Sequence, residues 1–281
     1  MSDVLELEFH QSWLNEYLLC PERARQLWFN EVVSGPSDAT AIGTGLHAAA
    51  EHVLHGGSQE QAWDRAMSVF LEETHDEHFE WKQVKTVDTA FRHMATAFDG
   101  WYGRVLPMLT TPILIEAEFN FLFDEFDLDD GRTARINLAG AIDFGDELGL
   151  WDWKTCKTPE KYTPGWGGEG WKLKRFGIQP TVYCIGAEHL GYWSTIRPDG
   201  LDEPWDFTYA AVTKTQPSAT FLPVERTPAH KGWLRKLVRN AAKMIASGLP
   251  EWPTIDQHAL CSPEWCPAWS RCKGMTLHVT T

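Results

Sequence analysis

Residues 140–155 constrain the fold more than any other part of the chain, because an alternating pattern follows a short turn. The run Trp-Asp-Trp-Lys at 151–154 alternates two aromatic residues with an acid and a base. Successive side chains of a strand point to opposite faces, so both tryptophans share one face and Asp152 and Lys154 share the other. The pattern predicts a strand with one face in the core and one polar face.

A second strand precedes this one and is expected to be its antiparallel partner. The Gly-Asp-Glu-Leu segment between the two strands is typical of a turn. If the hairpin closes about the 146–147 bond, Asp143 lies opposite Leu150. Asp143 is then diagonal to Asp152 on the same face, roughly 7–8 Å away, so the two carboxylates can converge on one cation. A turn of odd length would separate them.

Two carboxylates and a lysine on one face suit metal-assisted hydrolysis of a phosphodiester. Mg²⁺ and Mn²⁺ prefer oxygen ligands, and Mg²⁺ usually takes one or two protein carboxylates and keeps several waters. A bound metal lowers the pKa of its water and polarises the phosphoryl oxygen, and a nearby lysine can orient that water and balance developing charge. The alternative is that Asp152 and Lys154 form an ordinary ion pair on the surface of a strand.

The composition indicates a folded globular protein. The chain has 281 residues, of which 43% are hydrophobic and 15 are tryptophan, and this suffices for one large core or two modest ones. No apolar run approaches the length of a membrane span, about 20 residues, and the acidic N-terminal segment does not resemble a signal peptide. We therefore expect a soluble cytoplasmic protein with no membrane partner.

The charge of the chain is unevenly distributed. A net charge of −14 argues against a nucleic-acid partner only if the charges are evenly spread. Residues 154–175 contain six lysines and arginines against two acids, and residues 226–243 contain six with no acid. The first basic run directly follows the candidate active strand. The second is consistent either with a nucleic-acid contact or with the solvated face of a helix.

The order of the predicted elements indicates a single α/β domain over residues 1–281. The predicted helices span residues 12–20, 39–54, 59–80, 86–105, 176–192 and 228–247, and the predicted strands span 113–123, 135–144, 148–155 and 207–213. Residues 1–110 are thus expected to be mainly helical and residues 111–247 to form the core of the domain. Residues 248–281 contain four prolines and show little periodicity, which predicts an irregular tail.

Four of the six cysteines are candidates for a shared metal site. Cys261, Cys266 and Cys272 cluster in the tail, and Cys20 lies near the other end of the chain. Because cytoplasmic disulfides are rare, such thiols favour a metal site, either tetrahedral Zn²⁺ or an iron–sulfur cluster. A three-plus-one arrangement with long gaps favours the cluster over zinc. Ordinary thiols in a tail and a core are the alternative.

Three further residues are candidates only in combination. His47 follows a Gly-Thr-Gly-Leu segment on an alanine-rich helix, where a histidine is more often a packing residue than a metal ligand. Gln179 and Tyr183 are four residues apart on a helix and share one face, from which they can orient a phosphate or a water. Each of these residues alone is equally consistent with packing.

Together these residues resemble the RecB-like branch of the PD-(D/E)XK nuclease superfamily, specifically its iron–sulfur members, which are AddB-type nuclease domains and the CRISPR adaptation nucleases. The matching motifs occur in order as Cys-Pro at 20–21, Gly-x-Gly-x-His at 43–47, Gly-x-x-Asp at 140–143, Asp-x-Lys-Thr at 152–155, Gln-x-x-x-Tyr at 179–183 and the terminal cysteine trio. Each motif is weak alone, and their joint occurrence in this order is specific. The resemblance implies an α/β restriction-endonuclease-like core with a mixed central sheet flanked by helices. It also implies an iron–sulfur staple between the N-terminal helix and the C-terminal tail.

The resemblance assigns roles to individual residues. The implied groups are the Mg²⁺ or Mn²⁺ ligands His47, Asp143, Asp152 and the Trp153 carbonyl, the catalytic Lys154, the accessory pair Gln179 and Tyr183, and the [4Fe–4S] ligands Cys20, Cys261, Cys266 and Cys272. Structural Zn²⁺ is the alternative cofactor. Two departures are an aspartate at 152, where relatives often carry glutamate, and a four-residue first gap in the cysteine trio, where two is commoner. Glu116 or Glu118 is a further candidate carboxylate, and alternation places both on one face.

The resemblance implies a divalent-metal-dependent DNA exonuclease that acts on single-stranded DNA or DNA ends. Its role would lie in recombination, repair, end processing or spacer acquisition, with DNA and recombination or CRISPR-adaptation proteins as partners. Two alternatives are an endonuclease or nickase of the same superfamily and a catalytically idle fold that serves as a DNA-binding module. The intact set of candidate ligands and lysine argues against the idle module.

Overall fold

The protein has a mixed α/β fold with a central mixed sheet flanked by helices. The computed structural model describes residues 3–32, 35–163, 168–198, 203–254, 261–262, 266–269 and 271–272. The strands are β1 Val4–His10, β2 Leu114–Asp127, β3 Thr133–Asp146, β4 Gly149–Cys156, β5 Trp205–Thr213 and β6 Ala219–Arg226. The helices are α1 Gln11–Leu19, α2 Pro21–Trp28, α3 Asp38–Leu54, α4 Gln59–Thr74, α5 Val87–Gly100, α6 Gly170–Phe176, α7 Ile178–His189, α8 Tyr192–Ile196 and α9 Pro228–Ala246, with a π-helical turn at Trp101–Val105 and short 3-10 turns at Leu106–Met108 and Glu160–Tyr162. No helix in the described part of the chain has the length and apolar character that crossing a bilayer requires.

The six strands form a sheet in the order β1-β3-β4-β5-β6, with β2 also paired to β3. β1 runs parallel to β3 and β4 runs parallel to β5, whereas the β3–β4 and β5–β6 pairs are antiparallel. Parallel neighbours need a long crossover, and the chain between β4 and β5 accordingly carries α6, α7 and α8. The α/β class and the mixed sheet are confirmed. The iron–sulfur staple and the single domain over 1–281 stay predictions.

Two strands are absent from the sequence-based prediction. β1 pairs in parallel with residues 133–139 of β3, a partner far along the chain, and it buries Leu7 and Phe9. β6 pairs antiparallel with β5 along nearly its whole length. Short strands of this kind depend on their neighbours in the sheet more than on their own periodicity. The predicted helix over 59–80 also ends earlier, at Thr74.

The β3–β4 hairpin closes one residue later than the sequence predicts. Its ladder pairs Asp146 with Gly149, so the turn contains two residues. The same register, continued along the strands, aligns Asp143 with Asp152 and not with Leu150. The ladder itself ends at Phe144 and Trp151, and its extension keeps the two carboxylates on one face, as expected.

Side-chain contacts at the turn explain the shift in register. The Asp146 carboxylate accepts the backbone N–H of Leu148 at 2.9 Å and the indole N–H of Trp151 at 3.2 Å. Gly149 has φ of 140°, and a Cβ there would lie 2.7 Å from the Asp206 carbonyl oxygen. Only glycine adopts this backbone next to a neighbouring strand without strain. The turn is therefore held at its observed position from both ends.

The chain forms two compact units, each with its own packing. One unit comprises Met1–Ser34, Phe119–Gly140 and Ala229–Thr281, and the other comprises Gly35–Glu118 and Ala141–Pro228. In the second unit, α3, α4 and α5 pack with β4 and β5 around a common core. Gly45 permits this packing, because a Cβ there would lie 2.4 Å from Met94 Sδ and 3.0 Å from the Ala66 carbonyl oxygen. Trp153 is fully buried, with its ring centroid 5.7 Å from that of Trp101, so the tryptophan face of β4 lies in the core as predicted.

A buried ionic network stabilises α2 in the first unit. The Arg25 guanidinium donates to Glu22 Oε2 at 3.0 Å and to Glu31 Oε1 at 2.6 Å. Glu22 also accepts the Gln26 side-chain amide at 2.8 Å and the Trp252 backbone N–H at 2.7 Å. Breaking one partner of such a buried pair leaves an uncompensated charge, which makes the network hard to open. It joins α2 to the chain that follows α9.

The start of α3 is held by a buried carboxylate. Asp38 is fully buried and accepts backbone N–H groups of Lys82 at 2.6 Å, Gln83 at 3.0 Å and Val84 at 2.7 Å. Ser37 completes the helix start with a capping box. The first turn of α3 is thereby tied to the segment that leads into α5.

We expect Asp38→Ala to lower the free energy of unfolding by about 3 kcal/mol, because three N–H groups lose an ionised acceptor. Urea denaturation followed by tryptophan fluorescence measures the change. Asp64→Ala, at an exposed position of α4, is the matched control and should change stability by less than about 0.5 kcal/mol. Equal losses in the two variants would contradict the anchoring role of Asp38.

Candidate active site

The polar face of β4 carries a buried acid and a partly buried lysine. Asp152 is fully buried, and its Oδ1 and Oδ2 atoms lie 2.9 and 2.7 Å from Lys154 Nζ. Gln179 of α7 donates from Nε2 to Asp152 Oδ1 at 2.6 Å. A carboxylate withdrawn from water needs such partners to remain ionised. The pair is therefore not the surface ion pair that the tripeptide alone would suggest.

Asp143 lies beside this pair on β3. It is 5% exposed, and its Oδ2 atom accepts the backbone N–H of Trp153 at 2.8 Å. The bond links the side chain of one strand to the main chain of the next, so the hairpin itself fixes the direction of the carboxylate. Asp143 is thus a rigid acidic group next to β4.

His47 approaches the hairpin from α3. Its Nε2 atom lies 3.1 Å from the Trp153 carbonyl oxygen, and its Nδ1 atom lies 3.4 Å from Asp143 Oδ2 and 3.6 Å from Glu116 Oε1. Histidine ligands of metals commonly donate their second ring N–H to a carbonyl, which orients the other nitrogen toward the metal. With Nε2 donating to Trp153, Nδ1 faces the two carboxylates.

Glu116, rather than Glu118, belongs to this cluster. The ligand atoms of His47, Glu116 and Asp143 all lie within 4.8 Å of one another, and they are the only such group of three in the described part of the chain. Glu118 is exposed. The structure therefore decides between two acids that alternation along the sequence leaves equivalent.

The backbone of Glu116 explains why alternation fails there. Its φ is 41°, in the left-handed region, although it lies within strand β2. A non-glycine residue in this region costs about 1–3 kcal/mol and is typically retained at functional sites. The irregular backbone interrupts the regular strand geometry at Glu116, which is half-buried, whereas Glu118 is exposed. No feature of the sequence indicates this irregularity.

Tyr183 supports the glutamine that contacts Asp152. Its hydroxyl hydrogen-bonds the side chain of Gln179, and its ring packs edge-to-face on Phe207 with centroids 6.3 Å apart. Burial raises the pKa of Tyr183, and the neighbouring carboxylates of Asp152 and Asp143 raise it further, so the phenol stays protonated. Tyr183 therefore acts on the site through Gln179.

The ionisable groups of the cluster perturb one another strongly. Burial would lower the pKa of His47, but Asp143 and Glu116 raise it to about 9. Burial raises the pKa of Asp152 to about 7 despite the opposing charge of Lys154. The pKa of Lys154 is raised because the aspartates outweigh the effect of its burial. The carboxylates of the site concentrate negative charge, which bound protons partly balance. A divalent cation can take the place of those protons.

The donor set fits a hard divalent cation with one nitrogen ligand. Glu116 Oε1 is buried and accepts no hydrogen bond in the described structure, which leaves it available as a ligand. Carboxylate oxygens with one imidazole suit Mg²⁺ and Mn²⁺. Two further predicted ligands, Asp152 and the Trp153 carbonyl, stay predictions. Asp152 lies outside the group of three and pairs with Lys154, although its buried Oδ2 atom accepts no hydrogen bond in the described structure, and the Trp153 carbonyl lies 3.1 Å from His47 Nε2.

The four candidate cluster cysteines belong to the other unit. Cys20 lies between α1 and α2, and Cys261 in the tail is half-buried. Burial raises the pKa of the Cys266 thiol, Arg23 lowers it, and the thiols of Cys20 and Cys272 raise it again. Such influence acts at short range. A cluster shared by these thiols stays a prediction.

Comparison with known proteins identifies the family. A family model described as the PD-(D/E)XK nuclease superfamily matches residues 9–273. A solved structure described as "Crystal structure of SSO0001" aligns with 93% of this chain and 96% of that chain at 12% sequence identity, with a TM-score of 0.33 that is too low to carry an argument. No match was found among curated proteins. The family match covers every residue of the candidate site, and the chain belongs to the PD-(D/E)XK nuclease superfamily.

Proposed function

We propose that this chain is a divalent-metal-dependent deoxyribonuclease that works as an exonuclease on single-stranded DNA or DNA ends. The observation that carries the proposal is the convergence of His47, Glu116 and Asp143 within 4.8 Å. The Asp152–Lys154 pair on the same hairpin supplies the acid and the base of the Asp-x-Lys motif. Membership of the superfamily supports hydrolysis of phosphodiester bonds. The exonuclease assignment rests on the resemblance of the motif order to RecB-like iron–sulfur nucleases.

The contacts of each side chain define its proposed role. His47, Glu116 and Asp143 would hold Mg²⁺ or Mn²⁺, which supplies a polarised phosphoryl oxygen and a water of lowered pKa. Lys154 keeps its ammonium charge because carboxylates raise its pKa. A fixed ammonium in a buried site stabilises negative charge that develops on the attacked phosphate. Lys154 is thus the proposed catalytic residue.

The remaining predicted residues support these groups. The Asp152 carboxylate holds Lys154 in place and is, together with the Trp153 carbonyl, a further proposed ligand of the cation. Gln179 fixes the orientation of Asp152 by donating a hydrogen bond at 2.6 Å. Tyr183 in turn holds Gln179. This accessory pair keeps the acid and the lysine aligned for an approaching phosphate.

The proposed setting is DNA recombination, repair, end processing or CRISPR adaptation, with proteins of those processes as partners. We place the protein in the cytoplasm. All six cysteines are free of disulfides, which agrees with a reducing compartment.

We expect the protein to degrade end-labelled linear single-stranded DNA in the presence of Mg²⁺ or Mn²⁺ and to leave closed circles intact. Lys154→Met and Asp152→Asn should each lower the rate by at least about 100-fold, because each removes charge that acts on the reacting phosphate. Gel electrophoresis of timed reactions measures the rates, and EDTA should abolish cleavage.

Circular dichroism of the two variants provides the control for folding. Unchanged rates in folded variants would refute the assignment of the active site. Cleavage of circles would establish the endonuclease alternative, and DNA binding without metal-dependent cleavage of either substrate would establish the idle binding module.

Glu116→Gln and Glu118→Gln form a matched pair on one strand. We expect Glu116→Gln to raise the Mn²⁺ concentration for half-maximal cleavage at least about 10-fold, because a neutral amide replaces an ionised ligand. Glu118→Gln should leave this concentration unchanged, since Glu118 is exposed. Titration of Mn²⁺ under steady-state conditions measures both, and equal responses would exclude Glu116 from the metal site.

We also propose a [4Fe–4S] cluster, with structural Zn²⁺ as the alternative, held by Cys20, Cys261, Cys266 and Cys272. The thiols of Cys20 and Cys272 both act on the pKa of the Cys266 thiol, which supports a common site. The backbone N–H of Glu22 also donates to the Pro253 carbonyl oxygen at 3.2 Å, so α2 and the chain after α9 already meet near Cys20. A cluster across nearly the whole chain would stabilise the fold by constraining the unfolded state.

We expect Cys266→Ala to lose visible absorbance, iron and acid-labile sulfide together and to melt at a lower temperature. Cys156→Ala, at the end of β4 in the other unit, is the matched control and should keep the full metal content. Elemental analysis of anaerobically purified protein measures iron and zinc. Zinc without iron in the wild type would establish the alternative, and equal metal content and stability in Cys266→Ala would refute the shared site.

A further inference from the structure

Helix α9 separates its residues between two faces. Its buried residues are Leu234, Val238, Ala241, Ala242 and Ile245, and its exposed residues are Ala229, Gly232, Trp233, Lys236, Asn240 and Lys243. Helical spacing puts each set on one side. The helix contains no acidic residue, although the chain carries a net charge of −14.

The two arginines of α9 are engaged within the protein. Arg239 donates to Asp124 through Nε at 2.5 Å and through Nη2 at 3.0 Å, and Arg235 Nε lies 3.4 Å from the same carboxylate. Their guanidinium groups also lie over the rings of Phe126 and Phe123, 5.0 and 5.5 Å from the centroids. These contacts fix the rotation of the helix about its axis. The outward direction of its lysines is therefore built into the fold.

Lys236 and Lys243 remain available on the outer face. Neither forms an ion pair with any carboxylate among the described residues. They are seven residues apart, which is two helical turns and about 10 Å along the axis. Each can therefore contact a different phosphate of one strand.

Trp233 adds a flat apolar surface beside these charges. It is 42% exposed, and the adjacent Gly232 is exposed as well. Glycine is less favourable than alanine inside a helix. No atom in the described structure lies within 4 Å of where a Gly232 Cβ would stand, so packing does not explain the glycine. The missing side chain leaves open space on the exposed face, next to Lys236 four residues on.

We propose that this face of α9, formed by Gly232, Trp233, Lys236 and Lys243, binds single-stranded DNA. Trp233 stacks on an unpaired base, Gly232 leaves room for the base, and the two lysines contact phosphates. The inference rests on the proposed function, because it takes DNA as the polymer that binds. None of the residues of this face belongs to the candidate metal site.

The combination of features favours DNA over an acidic protein. An acidic protein would bind to the lysines through its carboxylates, and this would leave the exposed indole and the adjacent glycine without a role. A stacked base uses both, and every base offers a π face, so the contact requires no particular sequence. Exposed positive charge on an otherwise acidic chain also directs an anionic polymer to this helix.

The first test measures how salt affects binding of a fluorescent thymidine oligonucleotide, with EDTA present so that no cleavage occurs. Lys236→Gln/Lys243→Gln should reduce the slope of log affinity against log salt by about 1.4, because each phosphate contact on a single strand contributes about 0.7. Lys82→Gln/Lys85→Gln removes the same charge from exposed positions elsewhere and should leave the slope unchanged.

The second test separates stacking from charge. Trp233→Leu should weaken binding about 5- to 150-fold with the slope unchanged, since it removes stacking and no charge. Phe29→Leu, at an aromatic residue that is 45% exposed, is the control and should bind as the wild type does. Gly232→Ala should weaken binding while it raises the melting temperature, because alanine favours the helix but fills the open space.

Unchanged affinity in Trp233→Leu, or an unchanged slope in the double lysine variant, would overturn the proposal. Binding of polyglutamate that depends on the lysines and not on Trp233 would assign the face to an acidic protein and overturn it as well. If the wild type cleaves DNA while all α9 variants bind normally, only this inference fails. If the wild type neither binds nor cleaves DNA, the proposed function fails with it.

Discussion

The candidate site depends on the main chain of Trp153. Its N–H donates to Asp143 on β3 at 2.8 Å, and its carbonyl oxygen lies 3.1 Å from His47 Nε2 on α3. Its indole is fully buried in the core that α3 and β4 share. One residue therefore joins a helix and two strands through contacts of fixed geometry. The side chains on either side of it, Asp152 and Lys154, are held in place because the backbone between them cannot shift without breaking these contacts.

Burial of so many ionisable groups in one site lowers the stability of the fold. Each buried charge costs several kcal/mol unless partners compensate it. Here the compensation is mutual, since carboxylates raise the pKa of His47 to about 9 and Lys154 opposes the effect of burial on Asp152. The strained backbone of Glu116 adds a further cost. A cluster of this kind is unfavourable for stability by itself, and a divalent cation bound to it would offset that cost.

Local patterns in the sequence predict the hairpin and the face shared by Asp143 and Asp152, because strand alternation depends only on neighbouring residues. The turn lies one residue later than predicted, which shifts the pairing register by two residues, because the Asp146 side chain binds the turn through a contact that periodicity does not encode. The sequence pattern cannot choose between Glu116 and Glu118 for a similar reason, since the positive φ of Glu116 interrupts the regular strand backbone. The six longest of the described helices are predicted, whereas the shorter α2, α6 and α8 are not. Strand β1 is not predicted either, because its partner in the sheet lies far along the chain. The motif order identifies His47 only through family resemblance. Its position beside Asp143 depends on tertiary packing, which the local sequence pattern does not encode.

Net charge is a poor guide to the partners of this protein, and α9 shows the physical reason. At physiological salt, charges separated by more than about 8 Å are largely screened, so an approaching polymer responds to the local surface and not to the total of −14. Asp124 pairs with the partly exposed Arg235 and Arg239, whereas Lys236 and Lys243 are exposed. Asp124 thus helps to orient the helix, and the two exposed lysines are the charges that the proposed DNA contact would use. An acidic chain can in this way present a basic, aromatic face without altering its overall charge.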